Sequence, residues 1–94
     1  MPIELREGRF EYDTETNKLA PTPAELYHWF LWANEHRQEF EKKYEGKHLA
    51  IWDRQIIGIG GDLLEASEQA EHCRPDVEPY FVYVPTEKET YLLV

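Results

Sequence analysis

The chain contains a single cysteine, Cys73, among 94 residues. No disulfide can therefore form within it. Apolar runs are short, and none approaches the about 20 residues that a membrane-spanning helix needs. The opening stretch MPIELREGRF has no apolar core of the kind a secretory signal carries. These absences predict a protein of the reducing cytoplasm. Basic side chains are also scarce: 10 Lys and Arg stand against 19 Asp and Glu, for a net charge of -9 and a pI near 4.8. From Ile51 onward the acidic to basic count is 9 to 3, against 10 to 7 before it. Such a surface repels phosphate backbones and anionic lipid, so neither nucleic acid nor membrane is an expected partner. It favours encounter with a basic protein, and plain solubility accounts for it equally. There is no internal repeat and no low-complexity segment.

Aromatic residues, by contrast, are plentiful at 14%, with three Trp and six Tyr. In so short a chain they either supply much of the core or form a binding surface. Hydrophobic residues at 41% and charged residues at 31% fit one folded domain.

IELREGRFEY, residues 3–12, reads as a β-hairpin turning at Glu7 and Gly8, with Leu5 opposite Phe10 and Ile3 opposite Tyr12. DTETNKLAP then reads as a polar loop. TPAE starts a helix: Thr22 is the N-cap, Pro23 takes the first helical position and Glu25 closes a capping box. The helix is expected over 22–45, ended by Gly46. Its expected buried stripe is Leu26, Phe30, Ala33, Phe40 and Tyr44. LYHWFLW is apolar nearly all round, so it is either enclosed by the fold or covered by a partner.

HLAIW and QIIGIG flank Asp53 and Arg54 and predict a second hairpin. Their continuous apolar character predicts a sheet covered on both faces. Asp53 suits the first turn position. Arg54 suits the second poorly if that position needs φ > 0, which leaves a longer turn open. DLLEASEQAEHCR predicts a second helix capped by Asp62, boxed by Glu65 and stopped by Pro75, with Leu63, Ala66, Ala70 and Cys73 buried. PYFVYV predicts a strand, and TYLLV either a last strand folding back on it or a tail. The expected fold is a single small α+β domain: N-terminal hairpin and loop over 1–20, aromatic helix over 22–45, a central ββαβ unit over 47–85, then 86–94. The third strand of that unit is expected beside the first, antiparallel to it.

FEKKYEGKHLAIWDRQIIGIGGDLLEASEQA, closing at VYVP, resembles a small prokaryotic family of unknown function, number 5678. The resemblance rests on Phe40, Tyr44, Gly46, Lys47, Ala50, Asp53, Gly60, Asp62, Leu63, Val84 and Pro85, and covers roughly residues 39–85. Arg54 departs from it where the family has Gly. The resemblance implies a fold and no chemistry. It also implies a neighbouring retropepsin-like protease, and hence a protein partner.

The glycine-rich IIGIGGDLLEA invites a phosphate-binding reading. A dinucleotide fingerprint needs glycine at position 63, which is Leu63, and a P-loop needs Gly-Lys-Ser/Thr where Asp-Leu-Leu stands. Asp62 occupies the helix start where a phosphate would dock. A strand ending in glycines and a capped helix explain every residue. Of the histidines His28, His36, His48 and His72, His28 has no acidic residue or Cys three or four residues on, as a metal pair needs, and His36 with Glu39 or His72 with Glu68 reads as a surface hydrogen bond. His72 and Cys73 are adjacent on a helix and point about 100° apart, which spoils a nucleophile–base contact. Cys73 reads as a small buried residue. No cofactor, metal or catalytic constellation is expected.

Three functional expectations follow. The first is a non-catalytic interaction module binding a protein or a second copy of itself through Tyr27, Trp29, Leu31 and Trp32. The second is a small-ligand-binding or enzymatic domain with an aromatic pocket near Trp29, Trp52 or Tyr83. The third is an antitoxin-like or protease-associated regulatory partner.

Overall fold

A computed structural model describes residues 9–88. It is an α+β fold with two antiparallel sheets. The elements are β1 (Phe10–Asp13), β2 (Lys18–Pro21), α1 (Pro23–Glu35), α2 (Arg37–Lys43), β3 (His48–Trp52), β4 (Gln55–Gly60), α3 (Leu63–Cys73) and β5 (Tyr80–Tyr83). The larger sheet has the order β4-β3-β5, with β3 antiparallel to both neighbours. The third strand of the ββαβ unit thus lies beside the first, as the chain order implied.

The register assigns the faces. Leu49 pairs with Ile59 and Val82, and Ala50 with Gly58 and Phe81. Leu49 and Ile51 look toward α1 and α2, packing with Ala33, Phe40 and Val84. On the other face Gly58 and Gly60 meet α3 at Ala66 and Ala70. Both faces of β3 are therefore covered, which is why its apolar run is continuous. A second cluster gathers Trp29, Trp52 and Val77 with Phe10, Leu19 and Ile57 around it.

Gly58 and Gly60 do more than end the strand. A Cβ on Gly58 would lie 2.4 Å from the Ala66 carbonyl oxygen, and one on Gly60 2.4 Å from the Ala66 nitrogen. Their missing side chains let the backbone of α3 lie directly on the strand. So close an approach leaves room only for alanine at the contact. Ala66 and Ala70 are buried, while Leu63 and Cys73, expected in the same stripe, are exposed. The cap was read correctly: Asp62 Oδ1 accepts from the Glu65 amide at 2.8 Å, and Glu65 Oε1 accepts from the Gly61 amide at 2.6 Å.

The Asp53–Arg54 turn is the tight two-residue form, not a longer one. Trp52 pairs with Gln55, and Asp53 and Arg54 adopt φ of 49° and 64°. Two positive φ values match the right-handed twist of the strands, as a type I′ turn requires. Pairing of the two strands overrides the poor preference of Arg54.

The N-terminal hairpin sits further along the chain than expected. Its first arm and its Glu7–Gly8 turn lie outside the described residues. Phe10–Asp13 is a strand, but it pairs with Lys18–Pro21, part of the segment read as a polar loop. Asp13 and Asn17 make that turn. The Asn17 amide donates to the Asp13 carbonyl at 2.8 Å, Asp13 Oδ1 accepts from the Glu15 amide, and Asn17 takes a φ of 60°. The hairpin then docks on the segment before β5: the Leu19 amide donates to the Asp76 carbonyl and the Glu78 amide to the Leu19 carbonyl, both at 2.8 Å. The strand or tail expected over TYLLV lies outside the described residues.

The single long helix is two. His36 breaks it, with φ -98° and ψ 11°. Its Nδ1–H donates to the Trp32 carbonyl at 2.8 Å, and its ring clusters with those of Trp32 and Phe40, at 4.7 and 6.1 Å between centroids. Gly46, at φ 75°, ends the second helix as expected, and its amide donates to the Val84 carbonyl at 2.8 Å.

Candidate binding surface on the first helix

From Pro23 to Asn34 there is no Asp, Lys or Arg and a single Glu, Glu25, and it is buried. Thr22 starts the helix, its Oγ1 accepting from the Glu25 amide at 3.3 Å. The capping box expected of Glu25 gives way to other partners: the Thr22 amide donates to the Arg9 carbonyl at 2.9 Å, and the Glu25 carboxylate accepts from the Trp29 indole N–H at 2.8 Å and from Arg9 at 3.0 Å. Arg9 also donates to Asp53. One guanidinium thus joins the start of the N-terminal hairpin, the first turn of α1 and the β3–β4 turn. The hydrogen bond from Arg9 holds the Glu25 carboxyl below its ordinary pKa against the opposing effect of burial, with help from Trp29. The Arg9 guanidinium is correspondingly raised, chiefly by its hydrogen bond to Glu25.

This network sets the rotation of α1. Trp29, hydrogen-bonded to Glu25 one turn earlier, has 0% of its surface exposed and meets Trp52 edge-on at 5.1 Å between centroids. Phe10 stacks on Trp52 at 5.2 Å. With Glu25, Trp29 and Ala33 turned inward, the stripe expected to be buried is partly turned outward. Leu26 is 37% exposed, Phe30 46%, Tyr27 59% and Leu31 37%. Tyr27 and Phe30 stack with centroids 6.2 Å apart.

Of the four residues expected at an interface, Tyr27 and Leu31 are on the surface. Trp32 is half-buried against His36 and Phe40, and Trp29 is core. Leu26 and Phe30 join the surface instead. The signal for this was present in the four-residue spacing of Glu25 and Trp29, which lets an indole N–H satisfy a buried carboxylate on the same helix face.

The exposed shelf opens at Phe30 onto a groove of about 190 Å³ between α1, α2 and β5, lined among others by Ala33, Phe40, Tyr80, Val82 and Val84. Tyr80, between the core and this groove, has its phenol pKa raised by burial. The groove is smaller than the roughly 300–1,000 Å³ of pockets that enclose a small-molecule ligand. Tyr83 lines it, whereas Trp29 and Trp52 fill the core. Among the described residues no three His, Cys, Asp or Glu side chains gather closely enough to hold a metal ion, and no helix is long and apolar enough to cross a membrane.

The sequence model of a family described only as a family of unknown function, DUF5678, matches residues 39–87 of the chain. No curated protein and no solved structure matches it.

Proposed function

The chain belongs to DUF5678, a family of unknown function, and we propose that it acts as a non-catalytic protein-interaction module in the reducing cytoplasm. The observation that carries this reading is the shelf of Leu26, Tyr27, Phe30 and Leu31, exposed on a helix that carries no Asp, Glu, Lys or Arg on its surface before Glu35, in an otherwise acidic chain. Taking apolar side chains of about 150–250 Å² each, these exposures amount to roughly 350 Å² of apolar surface, within the range of patches that are functional on single domains. The adjoining groove suits the anchor side chains of a protein partner better than a whole small-molecule ligand.

Position-specific photo-crosslinking in the native cell tests the reading. A photoreactive residue at position 27 or 30 is expected to capture a protein, and one at position 68, on the acidic side of α3, is not. Equal capture at all positions, or none at 27 and 30, overturns it.

A further inference from the structure

The groove beside the shelf has a polar end that apolar contact alone does not use. Asn34 and Arg37 stand there on either side of the His36 break, and of the described residues lining the groove Arg37 is the one that is charged. Its side chain is 69% exposed, and its ion pair with Glu41, from Nε at 3.9 Å, is longer than a hydrogen bond. The fork of Nη groups is the shape that receives a carboxylate through two parallel hydrogen bonds. The β5 side of the groove, with Val82, Tyr83 and Val84, is largely apolar.

We propose that the groove receives a short peptide segment of a protein partner in which apolar side chains stand next to a carboxylate. The apolar side chains pack on Phe30, Val82 and Tyr83, and the carboxylate meets Arg37. The net charge of -9 repels acidic segments at long range, but that field is screened over about 8 Å at physiological salt. Contact at Arg37 is therefore local and selective. A second copy of the chain fits less well. Two shelves together bury roughly 700 Å², short of the about 1,200 Å² at which specific interfaces begin. The inference rests on the interaction-module reading and names its partner.

The test is selection of a random-sequence peptide library on the immobilised full chain, followed by affinity measurement on the selected peptides by fluorescence polarisation. Peptides with Asp or Glu beside Leu, Ile, Phe or Trp are expected. Arg37→Gln is expected to weaken them about tenfold, with the loss shrinking as salt rises, and Phe30→Ala to weaken them as well. Both side chains are exposed, and circular dichroism confirms that the variants stay folded. Failure to select any peptide, selection of basic or uncharged ones, or equal affinity for Arg37→Gln overturns the proposal. So does a concentration-dependent dimer in light scattering that Phe30→Ala dissolves, which assigns the surface to a second copy. Tighter binding by the full chain carrying Leu92→Ser and Leu93→Ser assigns the groove to the chain's own residues 89–94, and also overturns it. Each of these leaves capture at positions 27 and 30 standing, so the two readings fail separately.

Discussion

Replacing Gly58 by Ala adds one methyl group where the backbone of α3 lies directly on β4. In a strand interior that change is ordinarily favourable by roughly 0.5–1 kcal/mol, because glycine loses more backbone freedom on folding. Here the new Cβ would stand 2.4 Å from the Ala66 carbonyl oxygen, 2.8 Å from the Ala70 nitrogen and 3.2 Å from the Ala70 Cα. All three atoms are backbone of α3, so no side chain can swing aside and the helix itself must lift. Overpacking a well-filled core costs typically 1–3 kcal/mol, and backbone contacts this short belong at the upper end. The net loss is therefore about 2 kcal/mol, which lowers the Tm of a domain this size by roughly 8–16 °C. Gly60→Ala, 2.4 Å from the Ala66 nitrogen and 2.9 Å from the Glu65 carbonyl carbon, behaves alike. Gly61→Ala meets only Glu65 Oε1, at 3.6 Å, and is expected to leave Tm nearly unchanged. Thermal unfolding followed by circular dichroism gives all three values. If Gly58→Ala matched or exceeded the parent Tm, or if Gly61→Ala were the worst of the three, the helix-docking account of the glycines would be wrong.

Two further outcomes are expected. Arg54→Gly is expected to raise stability by about 0.5–1 kcal/mol: it relieves a left-handed residue at φ 64°, a strain of roughly 1–2 kcal/mol, and gives back part of that in unfolded-chain entropy. A lower midpoint in urea would contradict it. Glu25→Gln replaces a carboxylate whose folded pKa is depressed mainly by its hydrogen bond from Arg9. A depressed carboxyl stabilises above its unfolded pKa, near 4.3, and that contribution is lost as pH falls through the lower folded value. The parent chain is thus expected to weaken below about pH 4.3. The Gln variant should be less stable at pH 7 by about 1–3 kcal/mol and flatter in acid; denaturant midpoints across pH 3–7 of equal slope in both proteins would refute this.

Much of the architecture is legible in the residues themselves. Thr22 and Asp62 announce helix starts because their short oxygens reach the amide three residues on. The continuous HLAIW run announces a strand buried on both sides, and strand β3 is the centre of the sheet. Asp53–Arg54 announces a turn between two apolar runs. Each of these signals is local, and local chemistry is what a short stretch of sequence contains.

Where the sequence reading strayed, a distant contact decided the matter. Position 17 is an ordinary polar residue until strand pairing asks it for a left-handed backbone. Cys73 and Leu63 satisfy a helical period, but α3 is laid so flat on Gly58 and Gly60 that only alanine fits between. Leu26 and Phe30 satisfy one too, but Arg9 and Trp52, remote in the chain, hold Glu25 and Trp29 inward and turn those residues to the surface. Helical periodicity tells which residues share a face. It does not tell which face the rest of the protein will cover, because that depends on charges and rings brought together from separate parts of the chain. The sequence by itself determined the two capped helix starts, the central strands and the turn between them; only tertiary packing decided where the N-terminal hairpin pairs and how α1 is rotated, and with that the surface available to a partner.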